Sequence, residues 1–106
     1  MTLKQLHEII KQVNIPVGHY ENFLDSFPYI SYMETAGSYS YASGNIRRES
    51  IDVVINHLTK EEWDPSLDAL KRILVDNKIA FTSNTVWYED MRVIHTIIQL
   101  SIVNDY

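Results

Sequence analysis

The stretch that decides the fold is residues 49–58, ESIDVVINHL. Its apolar and polar side chains alternate with a period of two, which is typical of a β-strand with one buried face. One side of this strand carries Ile51, Val53, Ile55 and His57, and the other carries Ser50, Asp52, Val54, Asn56 and Leu58. We expect the first side to face a core, because the second side is the more polar of the two.

An amphipathic helix is predicted on each side of this strand in the sequence. The first spans about Leu3 to Val13, after a Thr2 N-cap and before the punctuation around Pro16. Its apolar residues recur at three- and four-residue spacing: Leu3, Leu6, Ile9, Ile10 and Val13. The second begins with Asp64 as N-cap and Pro65 at its first position, and it ends near Asn77. Its apolar stripe comprises Leu67, Leu70, Ile73 and Leu74.

Three further strands complete the predicted sheet. Alternation indicates one strand over 29–34 and a closing hairpin formed by 79–86 and 91–103. Residues 35–44 lack helical periodicity and are rich in Gly and Ser, so we expect a long, mobile hairpin loop there. The order of elements predicts an α+β fold: a mostly antiparallel sheet of about four strands with two helices packed on one face.

Length and composition indicate one ordered domain spanning residues 1–106. The chain is 45% apolar and contains seven tyrosines, which is enough material for one core. It has no cysteine, so disulfides and thiolate sites are excluded. We expect no membrane span and no signal peptide, because no apolar run approaches the necessary length and the first residues are polar.

Residues that could carry chemistry are scattered along the sequence. The four histidines, His7, His19, His57 and His95, have neither the His-x-x-x-His spacing of a helical metal pair nor cysteines beside them. His57 and His95 fall on strands and could meet across the sheet, although two half-exposed structural histidines are the simpler interpretation. The acidic pairs 61–62 and 89–90 fit a helix start and a turn. We therefore expect no catalytic site, no cofactor and no metal.

Partner contacts are expected in and beside the predicted loop. The net charge of −5 opposes binding to a phosphate backbone, although an acidic wall would let DNA slide past it. Arg47 and Arg48 form a basic pair that Glu49 partly neutralises, which favours a solvated strand edge over a phosphate contact. Tyr39 and Tyr41 fit either a protein interface or plain solvent exposure. As partner-binding residues we predict Tyr39, Tyr41, Arg47 and Arg48.

Several segments resemble a family of small phage tail-completion proteins, also described as tail terminators or head–tail joining components, from phages and prophages of Gram-positive hosts. The segment FPYISY at 27–32 is similar to the family's first strand, and SIDVVINHLT at 50–59 is similar to the strand that leads to its helix. IAF at 79–81, WYE at 87–89 and the closing strand resemble its last hairpin. The chain departs from the family at His57, where an aromatic residue is common, and in the low acidic and Asn content of 35–44.

The resemblance implies a structural protein of the virion, present in the host cytoplasm during assembly. It implies self-association into a hexameric ring on the tail tube, which stops tube growth and offers a docking face to head-connector proteins. DNA would pass through the ring without specific binding. Two alternatives remain open from the residues alone: a small dimeric regulatory or ligand-binding α+β domain, and an enzyme that uses His57 or His95.

Overall fold

The computed structural model of the protein describes residues 1–20, 27–42 and 44–105, without the side chains of residues 41, 42, 45–47 and 105. Two helices and five strands follow one another along the described chain. In order they are α1 (Leu3–Lys11), β1 (Val17–His19), β2 (Tyr29–Ala42), β3 (Asn45–Thr59), α2 (Pro65–Asp76), β4 (Phe81–Tyr88) and β5 (Val93–Asp105).

The strands form one sheet in the order β1-β2-β3-β5-β4. β1 pairs parallel to β2, and the other neighbours are antiparallel. The α+β class with two helices and a mostly antiparallel sheet is confirmed, but the sheet has five strands instead of about four, and one strand pair is parallel. The missed strand, β1, is only three residues long and lies between Pro16 and Tyr20. Pro16 and Gly18 are turn-forming residues, and a three-residue strand is too short to show alternation.

The core lies between the two helices and one face of the sheet. Leu6 and Ile10 of α1 and Leu70 and Leu74 of α2 are fully buried in it. The sheet contributes buried side chains from three strands: Ile30, Tyr32, Val53, Ile55, Ile98, Leu100 and Ile102. The prediction that Val53 and Ile55 face the core is therefore confirmed. We call the opposite side of the sheet the second face.

Both helix starts match their sequence signals. The Thr2 hydroxyl accepts a hydrogen bond from the Gln5 backbone N–H, while the Gln5 side chain accepts one from the Thr2 backbone, so a capping box begins α1. Asp64 caps α2, with Pro65 at the first helical position as expected. The first helix ends at Lys11, earlier than the predicted Val13.

The expected loop over 35–44 is wrong, because β2 continues as a strand to Ala42 and β3 begins at Asn45. The two strands pair through Ala42 and Asn45, and Gly44 in the turn has a φ of 80°, which glycine adopts without steric cost. Two register irregularities interrupt the pairing. The short side chains between the tyrosines hide the strand alternation in the sequence, and cross-strand pairing supplies the order that local propensity does not.

The hairpin makes the molecule long. The 15-residue β3 spans about 50 Å at the usual rise of a strand, close to the longest extent of the molecule, 53 Å. The helices cover only part of this length. We call residues 35–42 and 44–50, which continue beyond the helix-covered core, the arm.

Candidate functional site

The arm is exposed along most of its described length. Every side chain from Thr35 to Ser40 is exposed, and Arg48 is exposed on the opposite strand. The end of β5 runs alongside, where Ser50 pairs with Val103 and Arg48 pairs with Asp105. The arm is therefore a ribbon of two to three strands whose described side chains bury little apolar surface within the subunit.

The four predicted partner-binding residues all lie on the arm. Tyr39 is 52% exposed and pairs with Glu49, and Arg48 pairs with Ser40. The backbones of Tyr41 and Arg47 lie in β2 and β3 near the turn, but their side chains are outside the described part of the chain. The structure thus brings the four positions to one end of the sheet, although on paired strands and not in a loop.

A polar cluster lies under the N-terminus of α2 and contains His57, Thr59, Asp64 and Ser66. One carboxylate oxygen of Asp64 accepts hydrogen bonds from the Ser66 backbone N–H at 2.8 Å and the Ser66 hydroxyl at 2.7 Å. The other accepts from the Thr59 hydroxyl at 2.5 Å. His57 Nε2 lies 2.7 Å from the Ser66 hydroxyl oxygen. The carboxylate thereby caps the helix and ties it to the end of β3.

The hydrogen bonds of this cluster define the protonation of His57. The Ser66 hydroxyl donates its only proton to Asp64, so it must accept from His57, which makes the imidazole the Nε2–H tautomer. Nδ1 is then a buried acceptor with no partner among the described residues. Because Asp64 binds the hydroxyl and not the imidazole, His57 lacks the orienting carboxylate of a catalytic triad. In this arrangement the cluster holds the start of α2 against the end of β3.

Two pKa values in the cluster are lowered, for different reasons. Burial lowers the pKa of His57 below its ordinary value of 6.5, although the nearby Asp64 carboxylate opposes this effect. Burial raises the pKa of Asp64, but the hydrogen bonds from Thr59 and Ser66 outweigh it and hold the pKa below its ordinary 3.8. Folding therefore favours the neutral form of His57 and the ionised form of Asp64, which are the forms that the two groups have at pH 7.

We expect acid to destabilise the fold in two steps. Unfolded His57 binds a proton below about pH 6.5 while the folded state resists it, so stability is complete above that pH and falls below it. Stability from Asp64 is present above its ordinary pKa of 3.8 and is lost as the pH falls through its lower folded value. Urea denaturation at pH 7.5, 6.5 and 5.5 measures the first step. His57→Leu should show a smaller loss over this range, and an unchanged loss would contradict the assignment.

His95 belongs to a separate polar group on the second face. Its Nε2 lies 2.8 Å from the Asn56 side-chain oxygen, and its Nδ1 lies 3.0 Å from the Tyr88 hydroxyl. The Asn56 oxygen can only accept, so Nε2 donates and Nδ1 accepts from Tyr88. Burial lowers the pKa of His95, which favours this neutral form.

The two strand histidines do not meet. His57 pairs with Thr96 and His95 pairs with Leu58, which puts the two imidazoles on opposite faces of the sheet. His57 is fully buried, not half-exposed as expected. The register therefore rules out a site that both histidines share.

The remaining two histidines pack around Tyr32 at the β1 edge of the core. His7 Nδ1 lies 2.6 Å from the Tyr32 hydroxyl, and the His19 ring stacks on the Tyr32 ring with centroids 4.8 Å apart. His19 Nε2 is also hydrogen-bonded to the Glu34 carboxylate. Burial raises the pKa of Tyr32, and Glu34 adds to that effect. Tyr32 stands between the two imidazoles, so they flank one phenol and do not converge on a common point.

Three other features of the described residues bear on a possible site: metal-ligating groups, long apolar helices and clefts. No group of three His, Asp or Glu side chains there is arranged to hold a metal ion. None of the helices in that part of the chain is long and apolar enough to cross a membrane. A shallow cleft of about 540 Å³ lies where β4 begins beside β5, with Met1, Ile79, Phe81 and Leu100 in its lining. Comparison with protein-family models and with curated proteins finds no match to this chain.

The cluster under α2 was not predicted, although the sequence contains two signals for it. The alternation of β3 places His57 on the same side as Val53 and Ile55, which is a buried position. Asp64 was recognised as an N-cap, and Ser66 is the residue whose backbone N–H such a cap binds. What the sequence does not show is that the end of β3 lies against this helix start.

Proposed function

We propose that this protein is a structural component of a phage virion, a tail terminator or tail-completion protein that forms a ring at the head–tail interface. The proposal rests on the resemblance of the strand, helix and hairpin segments to that family. The observation that carries it furthest is the arm. The ring, its six-fold symmetry and its neighbours in the virion follow from the resemblance and require the tests below.

The arm has the properties of a contact element. A hairpin with no helix or second sheet packed against it is only marginally stable in water. Contact with another protein would stabilise such a long exposed hairpin. Its residues from Thr35 to Ser40 carry no charge, which favours close approach of another protein surface. Tyr39 supplies large contact area with a polar tip on a side chain of few rotatable bonds.

The other end of the sheet also exposes large apolar side chains. Trp63, in the link between β3 and α2, is 88% exposed, and Trp87 of β4 and Met91 of the following turn are 55% and 57% exposed. Exposed aromatic residues of this size are common anchors of protein interfaces. A protein that joins two assemblies needs contact surfaces at two ends, and this distribution supports such a role.

The polar clusters support a structural role for the domain. Ser66 is hydrogen-bonded to both Asp64 and His57, and none of these three residues lines the cleft beside β4. The net charge of −5 suits a ring through which DNA passes, because an acidic wall repels the duplex.

The direct test is the mass and shape of the purified full-length protein, alone and with the tail-tube protein encoded nearest to it. Light scattering and electron microscopy should show a ring of six copies, alone or on the tube end. The genes that flank its own should encode portal, capsid and tail proteins. A stable dimer that does not bind tail tubes would contradict the proposal.

We expect the double substitution Tyr39→Ala/Tyr41→Ala to weaken assembly at least tenfold while leaving the melting temperature nearly unchanged. Tyr39 is 52% exposed and lies outside the core cluster, so its truncation should affect intersubunit or partner contact more than core packing. Sedimentation and thermal melts measure the two effects. Tyr20→Ala, at a tyrosine that is 60% exposed outside the arm, is the control and should assemble normally.

The alternative, a small dimeric ligand-binding or regulatory domain, has one observation in its favour. The cleft beside β4 has the volume of a small-molecule site, about 540 Å³. Its charged lining residue is Lys78, so an anionic ligand would be the natural occupant. Thermal shift against a panel of small anions tests this function, and stabilisation that Lys78→Ala abolishes would favour it.

A further inference from the structure

The outer edge of β4 is an eight-residue strand edge without the usual protection against pairing. In the described part of the chain β4 is the last strand of the sheet, and its side chains from Thr82 to Tyr88 are all exposed. A strand edge presents a row of backbone N–H and C=O groups, and the partner that matches such a row is another extended backbone.

Natural edge strands are blunted by lysines, prolines, bulges or very short length. The sequence of β4, FTSNTVWY, contains no charged residue, no proline and no glycine. Its pairing with β5 runs from Phe81 to Tyr88 without a register shift, so no bulge twists the edge away. At eight residues β4 is longer than an average strand. Its edge is therefore competent to pair.

The arm presents a second open strand edge, which contains one register irregularity, between Glu34 and Ala36. β1 pairs with β2 at Ile30 to Tyr32, and among the described residues no strand pairs with the outer side of β2 from Met33 to Ser38. Only Glu34 is charged in that stretch, and His19 binds its carboxylate. The two edges lie on opposite sides of one sheet, so they cannot meet within one subunit.

We propose that the β4 edge of one copy pairs antiparallel with the free β2 edge of the next copy. The strand directions follow from the sheet: β2 and β5 run against β3, and β4 runs against β5, so β2 and β4 are antiparallel. Copies placed side by side in the same orientation therefore bring β4 to β2 in the antiparallel sense. The contact joins different surfaces, which is the kind of interface that a ring requires.

The offset between the two edges is compatible with closure. Through its cross-strand partners Thr85, near the middle of β4, is level with Ile30 of β2. The middle of the free edge, near Ala36, lies about six residues further, or about 20 Å along the strand. From β2 of one copy to β2 of the next the sheet advances by four strands, or about 19 Å, because β1 does not extend along the free edge. The offset therefore requires a strand tilt of about 46°, close to the tilt of about 35–45° that is typical of closed sheets. The edge pairing is the contact that would join neighbouring copies in the proposed ring. Closure of the contacts into a ring therefore rests on the proposed function.

Thiol cross-linking tests the pairing, because the chain contains no native cysteine. Asn84→Cys and Ser38→Cys place thiols on exposed positions of the two edges, and together they should give a ladder of linked copies with a short bis-maleimide reagent. Each single variant is the control and should remain unlinked. Dimers from Asn84→Cys alone would show that β4 pairs with itself, and an unlinked double variant would show that the edges do not meet. Either result overturns the proposal.

A charge at the edge gives the second test. Asn84→Lys should weaken association about tenfold or more, because an edge lysine opposes strand pairing. Gln99→Lys is the matched control, since it adds the same charge at an exposed position on the same face, one strand inside the edge. Equal association of the two variants would overturn the pairing.

The outcomes separate this inference from the ring itself. Six-fold rings from an unlinked double variant would leave the proposed function standing and remove the edge pairing. A linked ladder from open-ended assemblies, without rings, would keep the pairing and contradict the terminator role.

Discussion

Ile98→Asp should prevent the chain from folding. Ile98 is fully buried in the middle of β5, between Ile55 of β3 and Ser83 of β4. Removing the apolar side chain alone costs about 2–5 kcal/mol. An unpaired carboxylate in the same place adds several kcal/mol more. The sum reaches the whole net stability of a small domain, about 5–15 kcal/mol. Leu70→Asp, which enters the same core from α2, should have the same effect.

Circular dichroism and urea denaturation of the purified variants measure this result. Gln99→Asp provides the control, because Gln99 is the neighbour of Ile98 in the sequence but is exposed on the second face. It should melt within a few degrees of the wild type. Cooperative, wild-type-like melting of both Ile98→Asp and Leu70→Asp would show that the assigned core face is wrong.

Asp64→Ala should be the most destabilising change among the charged residues, at about 3 kcal/mol. It removes the N-cap of α2, worth about 1 kcal/mol. It also leaves the Thr59 hydroxyl, which is buried, and the Ser66 hydroxyl without their acceptor, at about 1–3 kcal/mol for a fully buried group. Because the same residue ties the helix start to the end of β3, the lost bonds belong to one cooperative group.

The unfolding free energy in urea at pH 7.5 checks the magnitude. Asp68→Ala is the matched control: Asp68 lies in the first turn of the same helix but is exposed, so only its interaction with the helix dipole is lost. That loss should stay below about 1 kcal/mol. Equal losses for the two variants would mean that Asp64 acts through its charge and not through its hydrogen bonds.

Much of the fold follows from the sequence because its elements have strong periodic patterns. The alternation in β3 identified the core face, and Asp64-Pro65 located the start of α2 to the residue. β1 could not be predicted, since three residues show no period and a parallel pair with β2 depends on where the chain returns. The length of β2 was underestimated because Gly37 and the serines have low strand propensity, whereas pairing with β3 supplies the hydrogen bonds.

The location of the candidate site could be predicted from the sequence, but its secondary structure could not. Tyr39 and Arg48 were expected at a partner surface and lie at the exposed end of the sheet, but on strands that pair over their full length. A half-exposed His57 was expected, although its place in the alternation of β3 already indicated burial. Its hydrogen bond to Ser66 depends on the approach of α2. A single sequence does not reveal which elements far apart along the chain contact one another.

The length of β3 has a mechanical consequence. This strand runs from the arm to the helix-capping cluster, and it is hydrogen-bonded to β2 on one side and β5 on the other over most of its length. Antiparallel ladder bonds lie across the strand direction. A pull on the arm along its axis therefore loads many bonds at once in shear, instead of opening them one after another. Tension applied at the tip is carried into the core, so the domain resists stretching along its long axis far better than peeling at its edges.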